Sequence, residues 1–250
     1  MSQTEKRPSC IVIGAGSARG IGGACARRFA AGGFHVFVAG HTEHKISELA
    51  QTLRSEGGHV EPVVTDVTRK ADIARLFDYA MSGSQGHAPP ELVIYNAGNN
   101  KPIPLLDLDA DAFEHYWRVG CYGGFLAGQE AVRRLLPLGR GSIIFTGASG
   151  SLRGREQFAH FAVAKAGLRM LAQSMAREFG PQGLHVAHVL IDGGVDGDRL
   201  RSVLPDLADR LGEDGMLSVE GIADAYWYLH HQPRSTWTQE LDLRPYRESF

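Results

Sequence analysis

The apolar run Cys10-Ile-Val-Ile13 passes directly into Gly14-Ala-Gly-Ser-Ala-Arg-Gly20-Ile-Gly22, and a segment of helical period follows. Few sequence features limit a fold as tightly. Glycines let a chain turn sharply at a strand end and let its backbone approach a pyrophosphate. The helix start then offers unbonded N–H groups and the positive end of its dipole to the anion. An ordinary glycine turn is the plain alternative, but it requires neither the strand before nor the helix after. A dinucleotide site is therefore expected, with Gly14, Ser17, Arg19, Gly20 and Ile21 among its contacts.

The rest of the chain continues the alternation. Strands are expected at 10–13, 35–39, 59–64, 91–95, 141–146, 185–191 and 239–243, with helical segments such as 21–31, 46–55 and 71–81 between them. Apolar strands separated by helices imply a parallel sheet covered on both faces, because parallel neighbours need crossover connections. The expected fold class is α/β, a Rossmann-type doubly wound parallel sheet in a three-layer α/β/α sandwich. Its ligand lies outside the carboxyl ends of the strands. The 250 residues suit a single domain over 1–250, and 43% hydrophobic residues suffice for its core. The stretch SGSQGHAPP at 82–90 is read as a turn before the fourth strand.

A formal charge of −2 provides no basic footprint for nucleic acid or an anionic membrane surface. No apolar run is long enough for a bilayer span, and the polar start MSQTEKRPS lacks the core of a secretion signal. Cys10, Cys25 and Cys121 are far apart, as expected of reduced thiols in a cytoplasmic protein. The scattered histidines have no metal-ligand spacing, so no metal site is expected.

Taken together, the glycine turn, Asp66-Val67 after the third strand, Asn96-Ala97-Gly98 after the fourth and Lys165 in a helix make the chain resemble the short-chain dehydrogenase/reductase family over nearly its whole length. The resemblance implies a nicotinamide dinucleotide cofactor. It places Asp66 and Val67 at the adenine and Asn96, Ala97 and Gly98 along the cofactor. It also puts Asp192-Gly193 where the family has Pro-Gly beside the nicotinamide, so Gly193 joins the cofactor contacts. One departure lies in the turn, where five residues separate Gly14 from Gly20 and the family usually has three. Either the loop carries two extra residues, or Gly16 takes the first glycine's place.

Strand two ends Ala39-Gly40-His41-Thr42, without the acid that an NAD site sets against the ribose 2′-hydroxyl. His41 stands at that position. Arg19 directly precedes Gly20, where NADP-dependent members often carry a base to pair with the 2′-phosphate. Both features favour NADP(H) over NAD(H).

The family's usual chemistry uses a tyrosine acid, a lysine four residues later, a serine about thirteen residues before the tyrosine and an asparagine on the long helix. Here Phe161-Ala-Val-Ala-Lys165 keeps the lysine and loses the tyrosine. Ala148 falls at the serine position with Ser149 one residue late, and Gly120 falls at the asparagine. Phenylalanine has no proton to give. Three readings stand open: a reductase whose proton comes from another group or from water, a non-redox enzyme, and a nucleotide-binding sensor or partner subunit. The family's dienoyl-CoA reductase branch also lacks the usual tyrosine, which points the first reading toward a conjugated enoyl substrate beside a small carbonyl one.

Among substitute groups, His160 is expected to face solvent or a partner subunit, Asp192 to act as a cap, with a base as its other reading, Tyr122 to face elsewhere and Cys121 to lie in the core. Residues 193–215 match the family's substrate lid, with Leu200, Val203, Leu204 and Leu207 as its apolar face. The aromatic tail segment AYWYLHHQPRSTW, like the family's habit, suggests a homodimer or homotetramer. Packing of the same aromatics within one chain is the other reading.

Overall fold

A computed structural model describes residues 6–83 and 86–248; the first five residues of the polar start and the centre of the 82–90 segment lie outside the described residues. Among those described, seven strands form one fully parallel sheet. They are β1 (Arg7–Ile13), β2 (His35–Gly40), β3 (His59–Val64), β4 (His87–Tyr95), β5 (Gly141–Thr146), β6 (Leu184–Ile191) and β7 (Glu240–Leu243), in the order β3-β2-β1-β4-β5-β6-β7. The order reverses between β1 and β4, so the carboxyl ends of these two strands flank the crevice where a doubly wound fold binds its ligand.

Side chains alternate across a strand, and each face of this sheet carries its own core. Cys10 and Val12 of β1 pack with Val36 and Val38 of β2 beneath α1 (Ile21–Ala31), α2 (Glu43–Ser55) and a later helix that brings Ile222 and Tyr226. Ile11 and Ile13 point the other way, with Phe37, Val93 and Tyr95. That side is closed by α3 (Lys70–Met81), α5 (Gly123–Leu135) and α6 (Ala159–Phe179), and α4 (Ala110–Trp117) packs on α6. Two short helices, α7 (Asp198–Val203) and α8 (Leu207–Leu211), then lead to α9 (Val219–His230), the source of Ile222 and Tyr226. Each large apolar side chain buried this way contributes about 1.5–3 kcal/mol. Among the described residues no helix is long and apolar enough to cross a membrane.

Two element ends differ from expectation. β1 begins at Arg7 and β4 at His87, so part of the expected turn is strand. The pairing slips on either side of Ser9, opposite Pro90, and Ser9 Oγ donates to the Ala88 carbonyl at 2.7 Å. Proline lacks an N–H, so it fits a strand start where the ladder is already irregular.

Candidate nucleotide and active site

Gly14 ends β1 with φ +83°, and a Cβ there would stand 2.6 Å from Ala97 Cα. Only glycine fits this left-handed, crowded position. Asn96 Nδ2 donates to the Gly14 carbonyl at 2.9 Å, and the Asn96 amide donates to the Ile13 carbonyl at 2.8 Å. The two strand ends beside the crevice are thus sewn together. Gly22 lies under the same turn, where a Cβ would come 2.6 Å from the Gly14 carbonyl oxygen. Gly16, at φ +58°, would bring a Cβ only to 4.0 Å from the Gly14 carbonyl oxygen, so the tight approach in this turn is made by Gly14. Gly20 is the N-cap of α1, and no side chain caps that helix.

Around this cradle, Asp66 Oδ1 accepts from the Thr68 amide and hydroxyl at 2.9 and 2.7 Å, and Val67 is buried beside Gly123. His41 is exposed at the end of β2, its Nε2 3.0 Å from the Thr42 hydroxyl. Arg19 leans toward the start of α7, with Nε 4.0 Å from Asp198 Oδ1, while the Asp198 amide donates to the Arg19 carbonyl at 3.0 Å.

Lys165 and Phe161 lie one turn apart on α6, on the same side of the helix. The Lys165 Nζ donates to the Thr146 carbonyl at 2.7 Å, lies close to Gly98 and is 5.9 Å from the Phe161 ring centroid. Burial lowers its pKa to about 8, since a desolvated ammonium is costly. The Phe161 ring sits against Gly150, in the loop that carries Ala148 and Ser149. Ser149 opens a short 3-10 turn, and its hydroxyl makes no hydrogen bond to the described residues. The structure therefore gathers Gly98, the 148–150 loop, Phe161 and Lys165, with no hydroxyl where a ring could carry one.

Gly120 has a packing reason. It lies in a π-helical turn at Arg118–Tyr122, and a Cβ on it would meet Ala164 Cβ at 2.8 Å. Tyr95 Oη donates to the carbonyl of Val119 at 2.5 Å within that turn. An asparagine could not enter here unless α6 moved, so the residue expected at this position from the family resemblance cannot be introduced by a simple exchange.

The sequence matches the short chain dehydrogenase family over residues 10–206. The chain belongs to that family. A short-chain dehydrogenase from Rhodopseudomonas palustris is 36% identical; the match covers 96% of this chain and 99% of that one, with a TM-score of 0.80. A hexahydroindene-carboxyl-CoA reductase of Mycobacterium tuberculosis is 32% identical over 178 residues, 70% of this chain and 67% of the relative. A metagenomic short-chain oxidoreductase solved in complex with NADP shares the fold at a TM-score of 0.81 and 20% identity, covering 97% of this chain and 99% of that one.

Several side chains of this short-chain dehydrogenase differ from their sequence-based expectation. His160 is fully buried, its ring 4.2 Å from that of Tyr116, because the next turn of α6 packs on α4 rather than on solvent. Asp192 caps no helix. It is fully buried, with both oxygens held by Arg153 at 2.8 and 3.1 Å and with Arg244 3.8 Å away, so one carboxylate clasps the segments that leave β5, β6 and β7. Gly193 beside it has φ +151°, and a Cβ there would lie 2.6 Å from Pro245. In the lid segment, Leu200 and Leu207 reach over Gly194, but Val203 and Leu204 are exposed. In the tail, Tyr226 is buried on Thr146 at 2.7 Å, and Trp227 packs on Phe29 and Phe34 under Arg28. Only Tyr228 among these three faces outward. Tyr122 stacks between Trp117 and Phe125, and Cys121 lies against Gly167 with its thiol pushed up by burial.

A buried relay escaped the sequence reading. The Ser151 hydroxyl accepts from the Ala148 amide at 3.2 Å and lies 3.3 Å from His188 Nε2; His188 Nδ1 is 3.0 Å from Glu240, which Arg169 grips at 2.6 and 2.7 Å. Burial lowers the His188 pKa to about 4, so the ring is neutral near neutrality. Its Nδ1–H then donates to Glu240, and Nε2 accepts from Ser151. The relay fixes the loop on which Phe161 rests. Its one sequence signal is a histidine among the apolar residues of HVAHVLI, and its partner lies 52 residues further along.

Proposed function

We propose that this short-chain dehydrogenase is an NADP(H)-dependent oxidoreductase acting on a small carbonyl or conjugated enoyl substrate. The observation that carries the reading is the asymmetry around Lys165: the glycine cradle and the buried amine beside Gly98 are intact, and the ring one turn away lacks its hydroxyl. The residues present fit a dinucleotide, because the start of α1 is free of a side-chain cap and Gly14 and Gly22, packed on their own backbone neighbours, hold the turn tight beneath it. Gly14, Ser17, Gly20, Ile21, Asn96, Ala97, Gly98 and Gly193 would hold it, with Asp66 and Val67 at the adenine and Lys165 at the ribose. Arg19 and His41 replace the missing acid at the 2′-position, where Arg19's fork suits a phosphate. When bound, the nicotinamide supplies or accepts the hydride. Phe161 shapes the pocket and excludes water, and Lys165 Nζ holds a proton near neutrality. An enoyl substrate demands less acid assistance than a ketone, which suits a site built this way.

Residues 193–215 form the substrate lid in this reading, with Leu200 and Leu207 on its inner side. The domain spans the whole chain. Exposed Trp117, Phe125, Val163 and Met170 on α4 to α6 offer apolar faces for a homodimer or homotetramer. The missing hydroxyl also favours a second reading, in which the site binds nucleotide without turnover. Calorimetry with NADPH and NADH, followed by a carbonyl and enoyl panel read by nicotinamide absorbance, separates the two. Tighter NADPH binding with enoyl turnover is expected. Tight binding without any turnover replaces the first reading with the second, and equal affinity for both nucleotides removes the NADP preference.

A further inference from the structure

Arginines in this protein are commonly answered by carboxylates. Arg28 meets Asp224, Arg134 meets Glu130 and Asp78, and Arg169 meets Glu240. Arg199, in the first turn of α7, has no carboxylate within ion-pair distance among the described residues. Its guanidinium donates to the carbonyl of Asn100, just beyond the Asn96–Gly98 turn. The two acids nearest it along the chain are engaged, Asp196 by Arg201 and Asp198 by Arg19. Carboxylates hold Arg169 and Arg201 above the ordinary arginine range, whereas desolvation pulls Arg199 below it. Arg199 is exposed, and with one neutral acceptor most of its five donors face the solvent side without a strong protein partner.

The surroundings of Arg199 add cations and polar groups. Lys101 follows Asn100, is exposed and makes no ion pair among the described residues. Its charge acts on His160, which is fully buried; the His160 ring nitrogens find no polar company beyond the Lys101 backbone. The His160 ring lies on Tyr116, and the Tyr116 phenol lies within electrostatic range of Arg199. His160 directly precedes Phe161, so this group borders the candidate active site and reaches its rim through two cations.

We propose that Arg199 and Lys101 form an oxyanion-recognition site at the mouth of the cleft. It takes the carboxylate or phosphate of a substrate whose reacting carbon lies toward Phe161 and Lys165. The inference rests on the reductase reading of this cleft and adds a charge class to its substrate. Arg199 engages the anion through its planar fork, and Lys101 adds a second positive charge. Because Arg199 belongs to the lid segment and Asn100 to the opposite loop, the bound anion joins the two sides.

The test is calorimetry on the protein saturated with NADP+. Levulinate is compared with methyl levulinate, and dihydroxyacetone phosphate with dihydroxyacetone. At least one anion is expected to bind about tenfold or more tightly than its neutral partner, a typical yield for one charge-assisted bidentate contact. Preference within the first pair assigns a carboxylate, and within the second a phosphate. Arg199→Gln should abolish the preference while leaving the neutral ligand and NADP+ bound as before, and Lys101→Gln should reduce it. The proposal is overturned if charged and neutral ligands bind alike, if neither anion binds by about 10 mM, or if Arg199→Gln keeps the preference. NADP+ affinity is measured first. If NADP+ fails to bind, the cofactor reading falls, and the same titrations on the nucleotide-free protein still decide the anion site.

Discussion

At the nucleotide end of the cleft the fit is made by backbone: Gly14 against Ala97, Gly22 under the Gly14 carbonyl, and Asn96 sewing β4 to β1. At the proposed substrate end it is made by side chains, among them Phe161 and the 148–150 loop, and there the sequence reading places Phe161, Gly120 and Ala148 at positions where reactive groups are expected. Backbone geometry tolerates no exchange at a position with positive φ and no room for a Cβ. A side-chain position can lose its chemistry and keep its packing, as the Phe161 ring on Gly150 does. On the proposed function, the difference teaches that binding and chemistry can be separated in this fold, the first resting on glycines and the second on a few replaceable atoms.

The sharpest way to test that separation is Phe161→Tyr. Restoring the hydroxyl should raise ketone reduction about a hundredfold to ten-thousandfold, with NADPH affinity nearly unchanged. No gain in steady-state rates would show that the substrate end lacks more than one hydroxyl. Gly120→Asn should instead lower the melting temperature, because of the 2.8 Å approach to Ala164, and should add nothing to the rate.

Next comes the buried relay. The unfolded chain protonates His188 near pH 6.5, whereas the folded chain does so only near pH 4. Between these values the unfolded state binds more protons, so stability rises with pH through that window and is lost on acidification, by up to about 3 kcal/mol. His188→Gln should flatten this part of the pH–stability curve in urea titrations. An unchanged slope would show that the relay does not set the acid limit.

A smaller effect tests the backbone side. Gly14→Ala should cost about 2 kcal/mol of stability through the clash and the positive φ, and NADPH binding should fall with it. Wild-type affinity in calorimetry would sink the claim that glycine geometry carries binding. The smallest effect is expected of Arg19→Ala. Because Arg19 is mostly exposed and shared with Asp198, its loss should narrow the NADPH over NADH preference by only about fivefold. A preference that survives unchanged would transfer the 2′-phosphate to His41 or another group.

The alternating pattern made the fold legible: every expected strand is present, and the parallel order follows from the helices between them. Pro89 and Pro90 hid the early start of β4, since a turn and an irregular strand start use the same residues. The glycine cradle was legible because backbone requirements leave a local mark in sequence. His160 and Asp192 were not, because their neighbours Tyr116, Arg153 and Arg244 lie 44, 39 and 52 residues away and no local pattern joins them. Tail aromatics such as Trp227 were ambiguous for the same reason: an aromatic stripe reads alike whether it meets a second chain or Phe29 of its own.

The seam where the Arg118–Tyr122 turn and the start of α5 meet α6 sets the order in which substitutions can accumulate. Gly120 faces Ala164, and Gly124 faces Leu168. Phe161→Tyr is open in a single step, because the ring is already in place and needs only one more oxygen. Gly120→Asn is closed until Ala164 first becomes glycine or the helices part, so Ala164→Gly followed by Gly120→Asn can succeed where the reverse order fails. A directed-evolution campaign that starts from this chain will find its gains at position 161 long before position 120 can yield any.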